Sequence, residues 1–133
     1  MGMYTEVFFR AEVDEYAWGV LSGLIEDHSL PESDPHPFFK KPRALQVFSG
    51  GSYYFPGARH SIVSSDLLNP SDPMRFVSFR ADLKNYDGEI DSFFDWVTPH
   101  VKSGGGFPRE MIGYSLYEED ASPRIYYKEA TYE

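Results

Sequence analysis

Asp87, Asp91 and Asp95 recur every four residues, with Glu89 among them and Trp96 directly following. On a helix that spacing lines the carboxylates up about 6 Å apart on one face, near the spacing of backbone phosphates, and like charges so placed slightly oppose the helix. The row suits a basic protein partner, with Trp96, predicted off the buried stripe, as the aromatic anchor. The plainer reading is a solvated acidic face. A second group is Arg10 with Glu12 and Arg80 with Asp82, two copies of one pattern. If their strands are neighbours, two guanidinium groups and two carboxylates floor a groove, with Tyr117 nearby, for a polar or zwitterionic small molecule. The plainer reading is cross-strand charge pairing, worth ~0.2–1 kcal/mol per pair.

Other chemistry is thinly represented. There is no cysteine, which excludes thiol catalysis, thiolate zinc sites and disulfides. His28, His36, His60 and His100 lack the three- or four-residue spacing that sets two ligands on one helix face, so they read as loop spectators, and no metal or cofactor is expected. Gly104-Gly105-Gly106 lacks the Lys and spacing of a phosphate loop and reads as a connection. Asp34-Pro35-His36 and Arg59-His60-Ser61 hold catalytic residue types without an ordered motif around them.

These groups must be held by elements, and the elements repeat. Val7-Phe8-Phe9-Arg10-Ala11-Glu12-Val13 returns seventy residues later as Val77-Ser78-Phe79-Arg80-Ala81-Asp82-Leu83. Alternation predicts a strand over 5–13 with Val7, Phe9, Ala11 and Val13 inward, and another over 75–83 with Val77, Phe79, Ala81 and Leu83 inward. A helix follows each. The first carries Ala17, Val20, Leu21, Leu24 and Ile25 on its stripe and ends near Asp27; the second carries Tyr86, Ile90, Phe93, Phe94 and Val97 and ends at Pro99.

Four prolines between His28 and Pro42 predict a loop, pinned by Phe38 and Phe39. Ala44 to Phe48 and Ser52 to Phe55 read as a hairpin about Gly50-Gly51. His60 to Leu67 reads as an irregular strand before an Asn69-to-Pro73 turn. Met111 to Glu118 and Arg124 to Thr131 form a second hairpin. The expected fold is α+β: one domain over residues 1–133, built of two strand-helix-strand-strand repeats at about 4–58 and 74–133 joined by 59–73. Its sheet is mainly antiparallel, with both helices on one face.

That duplicated unit resembles the GyrI-like small-molecule-binding domains, and the resemblance implies a ligand groove on the sheet face opposite the helices. The run Leu83-Lys84-Asn85-Tyr86-Asp87-Gly88-Glu89-Ile90, with Phe94, Trp96, Pro99, Gly113-Tyr114, Tyr117-Glu118-Glu119 and Ile125-Tyr126-Tyr127, resembles short uncharacterised bacterial and phage-associated proteins. That likeness implies an accessory factor and brings no activity with it.

Twelve basic against twenty-one acidic side chains disfavour direct contact with nucleic acid or anionic membranes. No run approaches the ~18–20 apolar residues of a membrane span, and a cytoplasmic location is expected. The first reading is a non-enzymatic accessory or inhibitor-type protein that engages a protein partner through Asp87, Asp91, Asp95 and Trp96. The alternative is a small-molecule-binding domain using Arg10, Glu12, Arg80, Asp82 and Tyr117. The third is a hydrolase-type enzyme without a linear motif. A homodimer is compatible with each.

Overall fold

The computed structural model describes residues 3–52, 59–63, 74–102 and 108–129. Strands β1 (Thr5–Val13), β2 (Arg59–Val63), β3 (Arg75–Leu83), β4 (Arg109–Tyr117) and β5 (Arg124–Glu129) form one antiparallel sheet in the order β2-β3-β1-β4-β5. The helices are α1 (Glu15–Glu26), α2 (Gln46–Ser49) and α3 (Glu89–Val97), with 3₁₀ turns at Pro37–Lys40 between α1 and α2 and at Thr98–His100 after α3. The chain is an α+β domain. β1 and β2 run the same way with β3 between them, the split strand-helix-strand plan, and β5 is added beyond β4.

The two copies of the repeat are immediate neighbours. β1 pairs with β3 from Thr5↔Leu83 to Val13↔Arg75, and the middle of this register sets Phe9 opposite Phe79, its own counterpart in the repeat. A local two-fold axis therefore passes between these two residues. Alternation then sends Val7, Phe9, Val13, Val77, Phe79, Ala81 and Leu83 to the helix side, where all are buried.

α1 closes its side of the core with Ala17, Leu21, Leu24 and Ile25, and Asp14 caps it by accepting a hydrogen bond from the Ala17 N–H at 2.8 Å. α3 contributes Phe93, whose ring lies 5.4 Å from Phe9, 5.6 Å from Phe38, 5.4 Å from Phe48 and 5.5 Å from Phe79, mostly edge to face. Such pairs add about 0.5–1.5 kcal/mol each beyond area burial. Phe38 and Phe39 pin the proline-rich loop as expected.

Ala44 to Phe48 is a helical turn leading into α2, not a strand: Ala44, Val47 and Phe48, at i, i+3 and i+4, are all buried, which a strand's alternation forbids for two adjacent residues. Gly50 then runs against β3, accepting a hydrogen bond from the Asp82 N–H at 3.1 Å. A Cβ on Gly50 would lie 2.2 Å from the Asp82 carbonyl oxygen, so only glycine fits. Of Ser52 to Phe55, residues 53–55 lie outside the described residues. So do residues 64–67 of the irregular strand, the Asn69-to-Pro73 turn, the Gly104-Gly105-Gly106 run and residues 130 and 131 of the last hairpin.

The second helix begins at Glu89 after Gly88, whose φ of 70° is a left-handed conformation. Tyr86 and Asp87 thus lie in the turn before it, and Tyr86, expected on the buried stripe, is 58% exposed. Among the described residues, no helix is long and apolar enough to cross a membrane.

Candidate functional site

The expected acidic row does not stand free. Asp87 Oδ2 accepts from Arg43 Nη1 at 3.0 Å, Asp91 accepts from Arg124 Nη1 at 2.9 and 3.1 Å, and Asp95 Oδ2 lies 2.9 Å from His36 Nε2. Each aspartate thus ties α3 or its leading turn to a different part of the chain. Trp96 is no exposed anchor either: it is 3% exposed, its ring meets Phe39 edge to face at 5.1 Å, and its Nε1–H donates to Asp34 Oδ2 at 3.0 Å. The α3 stripe is wide enough to include position 96 because the loop carrying Asp34 and Phe39 covers that side of the helix.

Asp34 is the centre of this closure. Burial works to raise its carboxyl, but hydrogen bonds from the Tyr16 hydroxyl, the His36 N–H and Trp96 outweigh that and hold it below the usual range. Its partner Tyr16 is pushed up to about 12, chiefly by that same hydrogen bond. His100 Nδ1 lies 2.8 Å from Asp14 Oδ2, so two of the four histidines expected to be spectators, His36 and His100, are carboxylate-paired. Glu89, in sequence only a neighbour of the acidic row, is fully buried, accepting from the Arg43 N–H at 3.2 Å and the Asp87 N–H at 3.0 Å.

The paired-arginine group is split by the same two-fold axis that organises the sheet. Arg10 and Arg80 are repeat counterparts one residue beyond Phe9 and Phe79, and antiparallel strands carry counterparts toward opposite ends. Arg10 sits opposite Ser78 and is exposed, while Glu12 Oε2 lies 4.0 Å from Lys102 Nζ. Arg80, Asp82 and Tyr117 gather at the other end.

There the register sets Glu6 directly opposite Asp82, a like-charge pair that is unfavourable by itself. Arg80 relieves it, donating from Nε to Glu6 Oε2 at 2.8 Å and from Nη2 to Asp82 Oδ2 at 3.0 Å. The Tyr114 hydroxyl donates to the same Glu6 oxygen at 2.8 Å, and Ser52 Oγ donates to Asp82 Oδ2 at 3.1 Å. Glu6, Tyr114 and Ser52 carry no signal in the sequence because their roles depend on register and on the path of the chain after Gly50.

Asp82 is 4% exposed, and burial pushes its carboxyl up despite the Arg80 guanidinium and the Ser52 hydrogen bond. Tyr114 is raised to about 12 by burial and then by its bond to Glu6. Beside this network lies a cavity of about 140 Å³ lined by Tyr4, Glu6, Ser52, Asp82, Tyr117 and Asp120 among others. Glu118 adds a further carboxylate, and Lys84 Nζ sits 5.7 Å from the Tyr4 ring centroid.

Comparison of the chain with protein-family models, with curated proteins and with solved structures finds no match. The site must therefore be read from its own chemistry. Among the described residues, no group of three or more His, Asp or Glu side chains is arranged to hold a metal ion. The described side chains include several Arg–carboxylate pairs and a buried aromatic cluster, an arrangement consistent with a binding surface.

Proposed function

We propose that the protein is a non-enzymatic small-molecule-binding domain whose ligand is a small organic cation, held in the cavity beside Asp82 and Tyr117. The observation that carries this reading is the excess of carboxylate there. Glu6, Asp82, Glu118 and Asp120 line one cavity, and Arg80 neutralises only part of the Glu6–Asp82 pair. A buried carboxylate whose proton affinity is raised by desolvation gains when a cation arrives. Tyr4 and Tyr117 supply ring faces that attract an ammonium within about 6 Å, and Lys84 already exploits one of them.

A protein partner bound through Asp87, Asp91, Asp95 and Trp96 is less well supported, since these side chains are engaged within the chain. A screen of thermal stability against n-butylammonium, tetramethylammonium, glycine and acetate tests the reading, because a ligand that binds only the folded state raises the melting temperature. The two cations should raise it well beyond acetate at equal ionic strength. Equal shifts for cations and acetate would refute the reading.

A further inference from the structure

A second cavity, of about 370 Å³, lies on the helix side of the same sheet end. Met3 and Thr5 line it whereas Tyr4 and Glu6 line the first, so along β1 the two lie on opposite faces of the sheet, and they share Tyr117 and Asp120 at its end. Its volume falls within the roughly 300–1,000 Å³ of small-molecule pockets. Neither the acidic row nor the paired-arginine groove accounts for it.

Its wall is a connected hydrogen-bond system. Arg124 Nη1 donates to both oxygens of Asp91, and the Tyr126 hydroxyl donates to Asp91 Oδ1 at 2.5 Å. Ser115 Oγ lies 3.3 Å from that hydroxyl. The Tyr126 ring is fixed by stacking on Phe94 at 3.8 Å and 6°, so this wall is held from behind by the core. Arg124 is 66% exposed and has N–H groups beyond the one spent on Asp91.

Other lining residues carry groups with capacity left over. Among the described residues, the Tyr86 and Tyr117 hydroxyls and the Asp120 carboxylate make no side-chain hydrogen bond, and all three residues line the cavity. Asp91 and Asp120 against Arg124 leave only a slight negative balance, and Arg124 occupies both oxygens of Asp91. Phosphate is disfavoured by the carboxylates, and an ammonium meets a guanidinium already in place.

A neutral ligand with adjacent hydroxyl groups matches better. Each hydroxyl both donates and accepts, so a pair of them can bridge a carboxylate and a guanidinium, while the apolar face of a ring rests on tyrosine. We propose that this cavity binds a neutral polyhydroxylated ligand of monosaccharide size through Arg124, Asp91, Asp120, Tyr117 and Tyr86.

The test is a titration of the isotope-labelled protein with glucose, galactose, mannose, ribose and myo-inositol, each to ~50 mM, far enough to detect millimolar ligands. Glycerol, phosphate and tetramethylammonium serve as comparison probes. At least one of the five polyols should shift saturably the amide signals of Ser115, Arg124 and Tyr126, which line this cavity and not the one beside Asp82. Arg124→Ala, a change at an exposed side chain that leaves the Tyr126–Asp91 bond in place, should weaken that response at least tenfold. The proposal is overturned if no polyol shifts these signals beyond glycerol, if phosphate or tetramethylammonium shifts them more strongly, or if Arg124→Ala responds like the wild type while melting at the same temperature.

Discussion

Phe9 and Phe79 are each other's counterparts in the sequence repeat and face each other across the centre of the sheet, with ring centroids 5.6 Å apart. Both rings also pack on Phe93. Truncating either should create a large cavity, and Phe9→Ala or Phe79→Ala should each cost about 3–5 kcal/mol in denaturant unfolding. Because the two residues touch, the double variant should depart from additivity, by about 0.5 kcal/mol or more.

Two glycines give a sharper contrast. A Cβ on Gly113 would fall 2.2 Å from the Phe8 carbonyl oxygen and 2.6 Å from the Phe94 ring, so Gly113→Ala must displace β4 from β1 or α3 from the sheet. Gly19, inside α1, has nothing within 4 Å of the point a Cβ would occupy. Gly19→Ala should stabilise the protein by about 0.5–1 kcal/mol through helix propensity, whereas Gly113→Ala should lower the melting temperature steeply or prevent folding. Thermal melts of the two variants decide this.

The aspartates near α3 should differ in weight. Asp95 is 80% exposed, so Asp95→Asn should change stability by less than about 1 kcal/mol. Trp96→Ala, at a buried position, should cost about 3–5 kcal/mol, and the Trp96 indole should be shielded from a soluble fluorescence quencher. An interface role for Trp96 would show instead as a well-folded alanine variant.

Stability should fall in alkali. Tyr16, Tyr114 and Tyr126 are each raised to about 12 in the fold, Tyr126 by burial and then by its bond to Asp91. A raised value means that the unfolded chain loses these protons first, at its ordinary pKa near 10. Their contribution is therefore intact below about pH 10 and is lost as pH rises through about 12. Tyr114→Phe and Tyr126→Phe should each flatten that decline in melts across the window, and ultraviolet titration should show fewer late-ionising tyrosines.

Much of the fold is legible in the sequence because burial follows period. β1 and β3 alternate through most of their nine residues each, the buried Asp82 being the exception in β3, and α1 buries Ala17, Leu21, Leu24 and Ile25 on one stripe. Ala44 to Phe48 reads wrongly as a strand because five residues are too short to separate a strand from a helical turn, and Gly50-Gly51 suggests a hairpin where Gly50 instead packs against β3. The site is legible in part. Arg80 and Asp82 pair and Tyr117 lines the cavity beside Asp82, but the separation of Arg10 and Glu12 from them follows from antiparallel pairing about Phe9 and Phe79, a fact of topology. The aspartates on α3 and in the turn before it look free in sequence because Arg43, Arg124 and His36 approach from distant segments.

The carboxylates beside Tyr117 should bind a cation. A cation favours the ionised form of Asp82, whose carboxyl burial raises, so affinity should fall on acidification at a higher pH than an ordinary aspartate would set. The most direct measurement is calorimetric titration of tetramethylammonium into the wild type, Asp82→Asn and Glu12→Gln, the last altering a carboxylate at the far end of β1. Cation binding beside Asp82 predicts saturable titrations for the wild type and Glu12→Gln, and at least a tenfold loss of affinity in Asp82→Asn. Absence of saturable binding to the wild type, or equal affinity in all three proteins, would contradict it.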